Sequence, residues 1–239
     1  MTIDDLIADV RNDLRDNTST RLWSDSELYV YADEGQREIA RRALVLNDSA
    51  TFLLITGIAS YALAPLVNLA SVALGTSVIS IDQEITVTTG SGDILVVRKR
   101  TIPWLNANRH EWRNWVSGKP HFFVEHLGTI MFVPSPSSDF NGSTVTLYLK
   151  RMPLNSFASG TPVIEVDPRY YDDLKWWMKY RAYDKKDAET YKPDKSLQAY
   201  QKFEASIGIR ENANIERIMM EEPEDYMQIY LTRQYYGRR

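Results

Sequence analysis

Three histidines, His110, His121 and His126, are the first candidates for chemistry in this 239-residue chain. A zinc hydrolase would present two imidazoles one helical turn apart, with a glutamate between them as general base. His110-Glu111 opens such a string, but the position four residues on is Asn114, so the pair is not completed. His121 and His126 flank a predicted strand at an odd spacing, which sends them to opposite faces. Packed or exposed imidazoles account for these residues better than metal ligands. No GxSxG, P-loop or strand-borne GxGxxG is present. Carboxylates are plentiful, but Asp172-Asp173 and Glu221-Glu222 fall at helix starts and on helix faces. Capping and solvation explain them better than acid–base catalysis. The absence of Cys removes thiolate nucleophiles, disulfides and Cys-based zinc sites together. The reading is a chain with no catalytic, cofactor or metal site, and not an enzyme.

The elements around these residues belong to an ordinary globular protein. Apolar residues make up 44% and charged residues 25%, too apolar for global disorder. No apolar run approaches the ~20 residues of a membrane span. Asp4, Asp5, Asp9 and Asp13 near the start, without a basic n-region, exclude a secretory signal. Together with the lack of Cys this points to a reducing cytoplasm. A net charge of -4 disfavours a dedicated duplex-binding protein, whose affinity would rest on a basic surface. Arg98-Lys99-Arg100 and Arg238-Arg239 are small basic clusters, the first read as a solvated loop or strand end.

Residues 1–15 predict an amphipathic helix, capped by Thr2 with Asp5 and apolar at Ile3, Leu6, Ile7, Val10 and Leu14. Ser24-Asp25-Ser26-Glu27 is a capping box, with Trp23 and Leu28 at the positions of a hydrophobic staple. The helix this starts, over 23–46, carries Leu28, Tyr31, Ala32, Gly35, Ile39, Ala43 and Leu46 on one stripe, with Arg37, Arg41 and Arg42 largely off it. A glycine on that stripe costs ~1 kcal/mol of helix propensity, which implies close approach by another helix.

After Asn47-Asp48 the texture becomes strand-like. Segments 51–56, 60–65, 72–87 and 94–97 are bounded by turn residues, with 65–74 open to a short helical turn instead. Trp104 to Trp115 predicts a short helix. Phe122–Glu125 and Thr129–Val133 form a hairpin around Leu127-Gly128, and 143–151 alternates as a further strand. The tryptophans Trp104, Trp112 and Trp115 could stack sugars or bases, but a small β unit also needs large apolar groups in its core. Helical texture returns at Asp167-Pro168, an N-cap followed by proline at the first helical position. Tyr171, Leu174, Trp177, Met178 and Ala182 make that helix's buried stripe, with Asp172, Asp173, Lys175 and Lys179 outward. After Pro193, Leu197, Tyr200, Phe203 and Ile207 supply another. Beyond Pro223 the chain is rich in Tyr and Arg without a period, a composition that suits partner docking as well as disorder.

The fold class read from this pattern is α+β. An antiparallel helical bundle (1–48 and 166–220) carries a small antiparallel β insertion (49–165), barrel or sandwich, and an extended C-terminal tail (221–239).

Several strings together resemble the head-to-tail adaptor, or connector, proteins of tailed bacteriophages, chiefly the short-tailed ones. Trp23-Ser24-Asp25-Ser26-Glu27-Leu28, leading to Gln36 and Ala40, is similar to that family's opening helix. Thr56-Gly57 with Tyr61-Ala62-Leu63-Ala64-Pro65 resembles its strand ending in Tyr-x-Leu-Pro, here with Ala64 as an extra residue. Gly118-Lys119-Pro120-His121-Phe122-Phe123 and Ile130-Met131-Phe132-Val133-Pro134-Ser135-Pro136 resemble its Gly-x-Pro, aromatic strand and strand-Pro-x-Pro sequence. Val166 through Leu174 and the Tyr200–Phe203 segment resemble its closing helices. The resemblance implies a structural virion protein at the neck between capsid and tail, assembled in the host cytoplasm. It implies a homo-oligomeric ring, a dodecamer, that binds the portal protein on one side and a tail or nozzle protein on the other. Genomic DNA would pass without sequence-specific binding, and no membrane is involved. In that setting Tyr226, Ile229, Tyr230, Arg233, Tyr235 and Tyr236 are the expected portal contacts. The alternative is a glycan-binding or other recognition module that uses the Trp-rich insertion.

Overall fold

A computed structural model describes residues 2–18, 20–68, 74, 77–126, 128–157, 163–187 and 189–209. Its content is mixed helix and sheet, an α+β protein. The described chain divides into two compact units, one of residues 2–47 with 151–209 and one of residues 48–150.

The first unit is helical. Helix α1 (Ile3–Leu14) starts with the expected reciprocal cap: Thr2 N donates to Asp5 Oδ2 (2.7 Å) and Asp5 N to Thr2 Oγ1 (3.2 Å). Helix α2 (Asp25–Ala43) repeats the device with Ser24 and Glu27. Trp23 and Leu28 are both fully buried, as a staple requires. Trp23 also donates its indole N–H to Ala182 O (3.0 Å), tying the entrance of α2 to helix α4 (Tyr171–Asp184). Helix α5 (Pro193–Ile207) completes the unit, and α4 packs against α1, α2 and α5. The shared core includes Leu6, Val10, Trp23, Ile39, Leu174, Met178 and Phe203. Phe157, Ile164 and Val166 join it from the segment before α4.

Gly35 is where α2 and α4 approach. A Cβ there would lie 2.6 Å from Leu174 Cδ1 and 2.8 Å from Trp177 Cδ1, so only hydrogen fits. Other details of the helices depart from the pattern read above. Helix α2 ends at Ala43, with Leu44 in the left-handed region (φ 49°), so Leu46 lies beyond it. Its buried face takes in Tyr29, Gln36 and Ala40 while Tyr31 and Ala43 stay half-exposed. The reason is a second contact surface: Tyr29 Oη donates to Asp4 Oδ1 of α1 (2.6 Å), and Gln36 Oε1 accepts from Glu165 N (2.8 Å). Arg42 is no surface residue either. Its side chain is 5% exposed, donates to Glu38 and Gly208 O, and lies over the Phe203 ring. Asp167 caps a single 3₁₀ turn (Pro168–Tyr170), and α4 begins only at Tyr171. Asp173 points inward rather than out. On α5, Ser196, Ala199 and Phe203 are buried, whereas Leu197 is exposed. The contact with α4 is set by small residues there, a criterion that a search for large apolar residues passes over.

The second unit is built on strands β1 (Asn47–Leu53), β2 (Ser60–Ala62), β3 (Val78–Ile81), β4 (Glu84–Thr88), β5 (Ile94–Lys99), β6 (Phe122–His126), β7 (Thr129–Val133) and β8 (Thr144–Arg151). All eight join one sheet in the order β1-β8-β4-β5-β6-β7-β2, with β3 also on β8, so of the barrel or sandwich expected, the two-sheet sandwich is not what the described residues form. The expected hairpin is β6–β7, with Phe123 opposite Phe132. The sheet is mixed, not purely antiparallel: β5 and β6 run parallel, Arg98 pairing with Phe122. A parallel pair needs a crossover, and helix α3 (Ile102–Asn108) lies in it. That helix starts and ends earlier than the tryptophan spacing predicts, because Thr101 caps it by accepting from Trp104 N. The inward-facing alternation Ile85/Val87, Val145/Leu147/Leu149 and Phe123 with Phe132 forms the core. On the opposite face, Val124 and Val133 are covered by Leu105 of α3 and by Trp112.

Candidate functional site

The residues expected to contact a portal, Tyr226, Ile229, Tyr230, Arg233, Tyr235 and Tyr236, lie outside the described residues. The tryptophan-rich segment of the β unit is fully described, and its three rings have different fates. Trp112 sits in a 3₁₀ turn (Trp112–Asn114), is buried, and donates its indole N–H to Asn106 Oδ1 (3.0 Å). Trp104 is half-buried and packs 5.5 Å from the Phe122 ring. Trp115 alone is exposed. The rings therefore do not share one open stacking face: Trp112 serves the core beneath α3.

What gathers around them is arginine. The Arg100 guanidinium lies 4.8 Å from the Trp104 ring centre, and Arg109 lies 5.9 Å from Trp104 and 5.8 Å from Phe122. Arg113 sits 4.3 Å over Trp112 and donates to Asn106 Oδ1 (2.9 Å). A guanidinium above a ring face is attracted by the ring quadrupole and keeps its N–H edges available. Beside this stack an open cleft of about 500 Å³ is lined by Val96, Arg98, Arg109, Trp115, His121 and Phe122. Its floor is strand: Arg98 is the last residue but one of β5 and Phe122 opens β6, adjacent through the parallel pairing. Arg98 meets Glu84 at 3.2 Å, both side chains more than half exposed, a pair that solvent screens to about 0–1 kcal/mol.

The three histidines, His110, His121 and His126, are all exposed, and His121 contributes to the cleft wall. Among the described residues no group of His, Asp and Glu could hold a metal ion. Asp172 is exposed, whereas Asp173 is buried, and burial holds its carboxyl above the ordinary carboxylate range. The hydrogen bond with Ser206 opposes that shift and the neighbouring Asp172 adds to it. A second cleft, about 300 Å³, lies on the helical unit beside Trp176, whose ring is flanked by Lys179 Nζ (4.2 Å) and Lys202 Nζ (4.0 Å). Lys179 also pairs with Asp13 of α1.

Sequence reasoning passed over Arg98, Arg109 and Arg113 as a set. The available signal was sign rather than spacing: residues 98–121 hold Arg98, Lys99, Arg100, Arg109, Arg113 and Lys119 against the single acid Glu111. Of these, Lys99 is already used inside the sheet, its ammonium 2.7 Å from Glu125 Oε2.

Rings and cations around an open cleft, on a sheet with a packed core, define a surface suited to recognising a partner. The match to known proteins agrees with that class. The SU10 adaptor protein family matches residues 1–223, so both units are covered, and the chain belongs to that family of bacteriophage adaptor proteins. No curated protein matches the chain. No helix among the described residues is long and apolar enough to cross a membrane.

Proposed function

We propose that this protein is a structural, non-enzymatic virion component of a short-tailed phage, forming the ring that joins the capsid portal to the tail. The observation that carries the reading is the family match over residues 1–223. The helical unit then acts as an antiparallel bundle and subunit wall. Its capped ends and the close α2–α4 contact at Gly35 supply the rigidity that a repeated lateral interface needs. The ring is a dodecamer matched to the portal, in the neck of the virion, and the β unit faces neighbouring subunits or the tail or nozzle protein. Tyr226, Ile229, Tyr230, Tyr235 and Tyr236, with Arg233, grip the portal, since Tyr and Arg are the residue types that dominate interface energetics. The lumen passes DNA without holding it, in keeping with the net charge of -4.

Deleting residues 227–239 and measuring portal binding by mass photometry tests the reading. The expected result is loss of a portal-plus-ring species that the intact chain forms with about twelve copies. Unchanged portal binding overturns the tail assignment, and failure of the intact chain to assemble on any portal overturns the ring. Retention of duplex DNA by the assembled ring at low salt would refute the passive lumen.

A further inference from the structure

We propose that the arginine-lined cleft of the β unit is the docking site for an acidic segment of the same chain, Glu221-Glu222-Pro223-Glu224-Asp225. The cleft lining holds two arginines and no acid: Arg109 forms no ion pair among the described residues, and Arg98 has only the solvent-shared Glu84; outside the lining, Arg113 over Trp112 forms no ion pair among them either. Guanidinium groups already held over Trp104, Phe122 and Trp112 have part of their freedom restricted before any ligand arrives, which lowers the ordering cost that a carboxylate must meet. Each presents the planar N–H edge that a carboxylate accepts bidentately.

The occupant is identified by charge. Residues 221–225 are the densest acidic run of the chain, in a protein whose positive excess is concentrated at 98–121. Eleven residues, 210–220, separate the acidic run from the described chain, and attachment to the same chain makes its binding an intramolecular event. A weak site is therefore filled from within the chain before a second copy competes for it. The docking site stands apart from the portal reading, because Tyr226 and the residues after it remain free for another partner.

The test uses the full chain with a benzophenone amino acid at Val116, which is 85% exposed and adjoins Trp115 on the cleft wall. Illumination, digestion and mass spectrometry should give adducts on the peptide containing residues 221–225. In a mixture of light and heavy-isotope chains those adducts should be light–light and heavy–heavy. Their yield should fall several-fold from low to high salt, as screening of exposed charges requires. Arg98→Glu with Arg109→Glu should lower the yield about tenfold, and adding Glu221→Lys with Glu222→Lys should restore it to within about twofold. Circular dichroism checks that each variant is folded, and the salt series on the unreversed chain reads the same interaction without them. Adducts on any other segment, mixed light–heavy adducts, or a yield indifferent to both salt and charge reversal would overturn the proposal. Absence of adducts on 221–225 together with crosslinking of the same benzophenone to added duplex DNA would overturn the proposal and assign the cleft to nucleic acid instead.

Discussion

Replacing Arg11 with methionine should cost the helical unit about 3–5 kcal/mol, because it strands a buried carboxylate. Arg11 and Asp16 side chains are 6% and 1% exposed, and Arg11 Nη1 lies 2.5 Å from Asp16 Oδ2. Arg11 Nη2 also donates to Trp23 O (3.0 Å) and to Asp25 Oδ1 (2.6 Å). Without the guanidinium, Asp16 keeps only the Leu22 N–H (2.8 Å) among these partners, and Trp23 O loses its donor. Asp25 loses little, since it is 54% exposed and retains Arg21. The loss therefore concentrates at Asp16. Arg11→Met with Asp16→Asn removes the stranded charge while leaving an acceptor for Leu22, so the double variant should cost only about 1–2 kcal/mol. Urea unfolding followed by far-UV ellipticity reads the effect as a fall of the midpoint by more than about 1 M for the single variant. A single-variant loss below about 1 kcal/mol, or strictly additive single and double effects, would refute the argument.

Gly35→Ala should lower stability by roughly 0–2 kcal/mol, since overpacking against Leu174 and Trp177 costs about 1–3 and the gain in helix propensity returns about 1. A variant more stable than the parent in the same urea assay would show that α4 yields there. Asp173 is held above the ordinary carboxylate range by burial, so the folded state prefers it protonated and stability falls as pH rises through that raised value. Asp173→Asn should match or exceed the parent at pH 7, with the difference closing toward acid; a neutral-pH loss above about 1 kcal/mol contradicts this. The hydrogen bond to Asp4, with burial second, pushes the Tyr29 phenol up to about 12. Its contribution is complete below pH 10 and lost between pH 10 and about 12, so Tyr29→Phe should flatten alkaline unfolding in that window. An alkaline titration of the two proteins that superimposes would refute the assignment.

The helix starts were legible because capping is local. Thr2 with Asp5 and Ser24 with Glu27 satisfy each other's backbone donors within four residues, whatever the rest of the molecule does. The alternation of Val145, Leu147 and Leu149 is likewise a property of a strand with one wet face. Gly35 was legible as a packing site for the opposite reason, since a residue that weakens its own helix needs a neighbour to justify it. What could not be read was anything decided by a third partner. Tyr29 is buried because α1 passes beside it, Arg42 because α5 closes over it, and Asp173 because α4 is covered by more than one helix.

By itself, then, the sequence determined where helices α1 and α2 begin, the α+β division of texture, and the order of motifs by which the chain resembles phage adaptors. Tertiary structure decided the parallel β5–β6 pairing, which sets Arg98 beside Phe122, and the split in role between buried Trp112 and exposed Trp115. It also set Arg109 over Phe122 at the wall of the cleft that Arg98 shares, and Arg100 over Trp104. Caps and alternation act over one turn or one strand. Sheet order and ring–cation stacking depend on segments that meet only after the chain has folded, and no local pattern encodes which of them will meet.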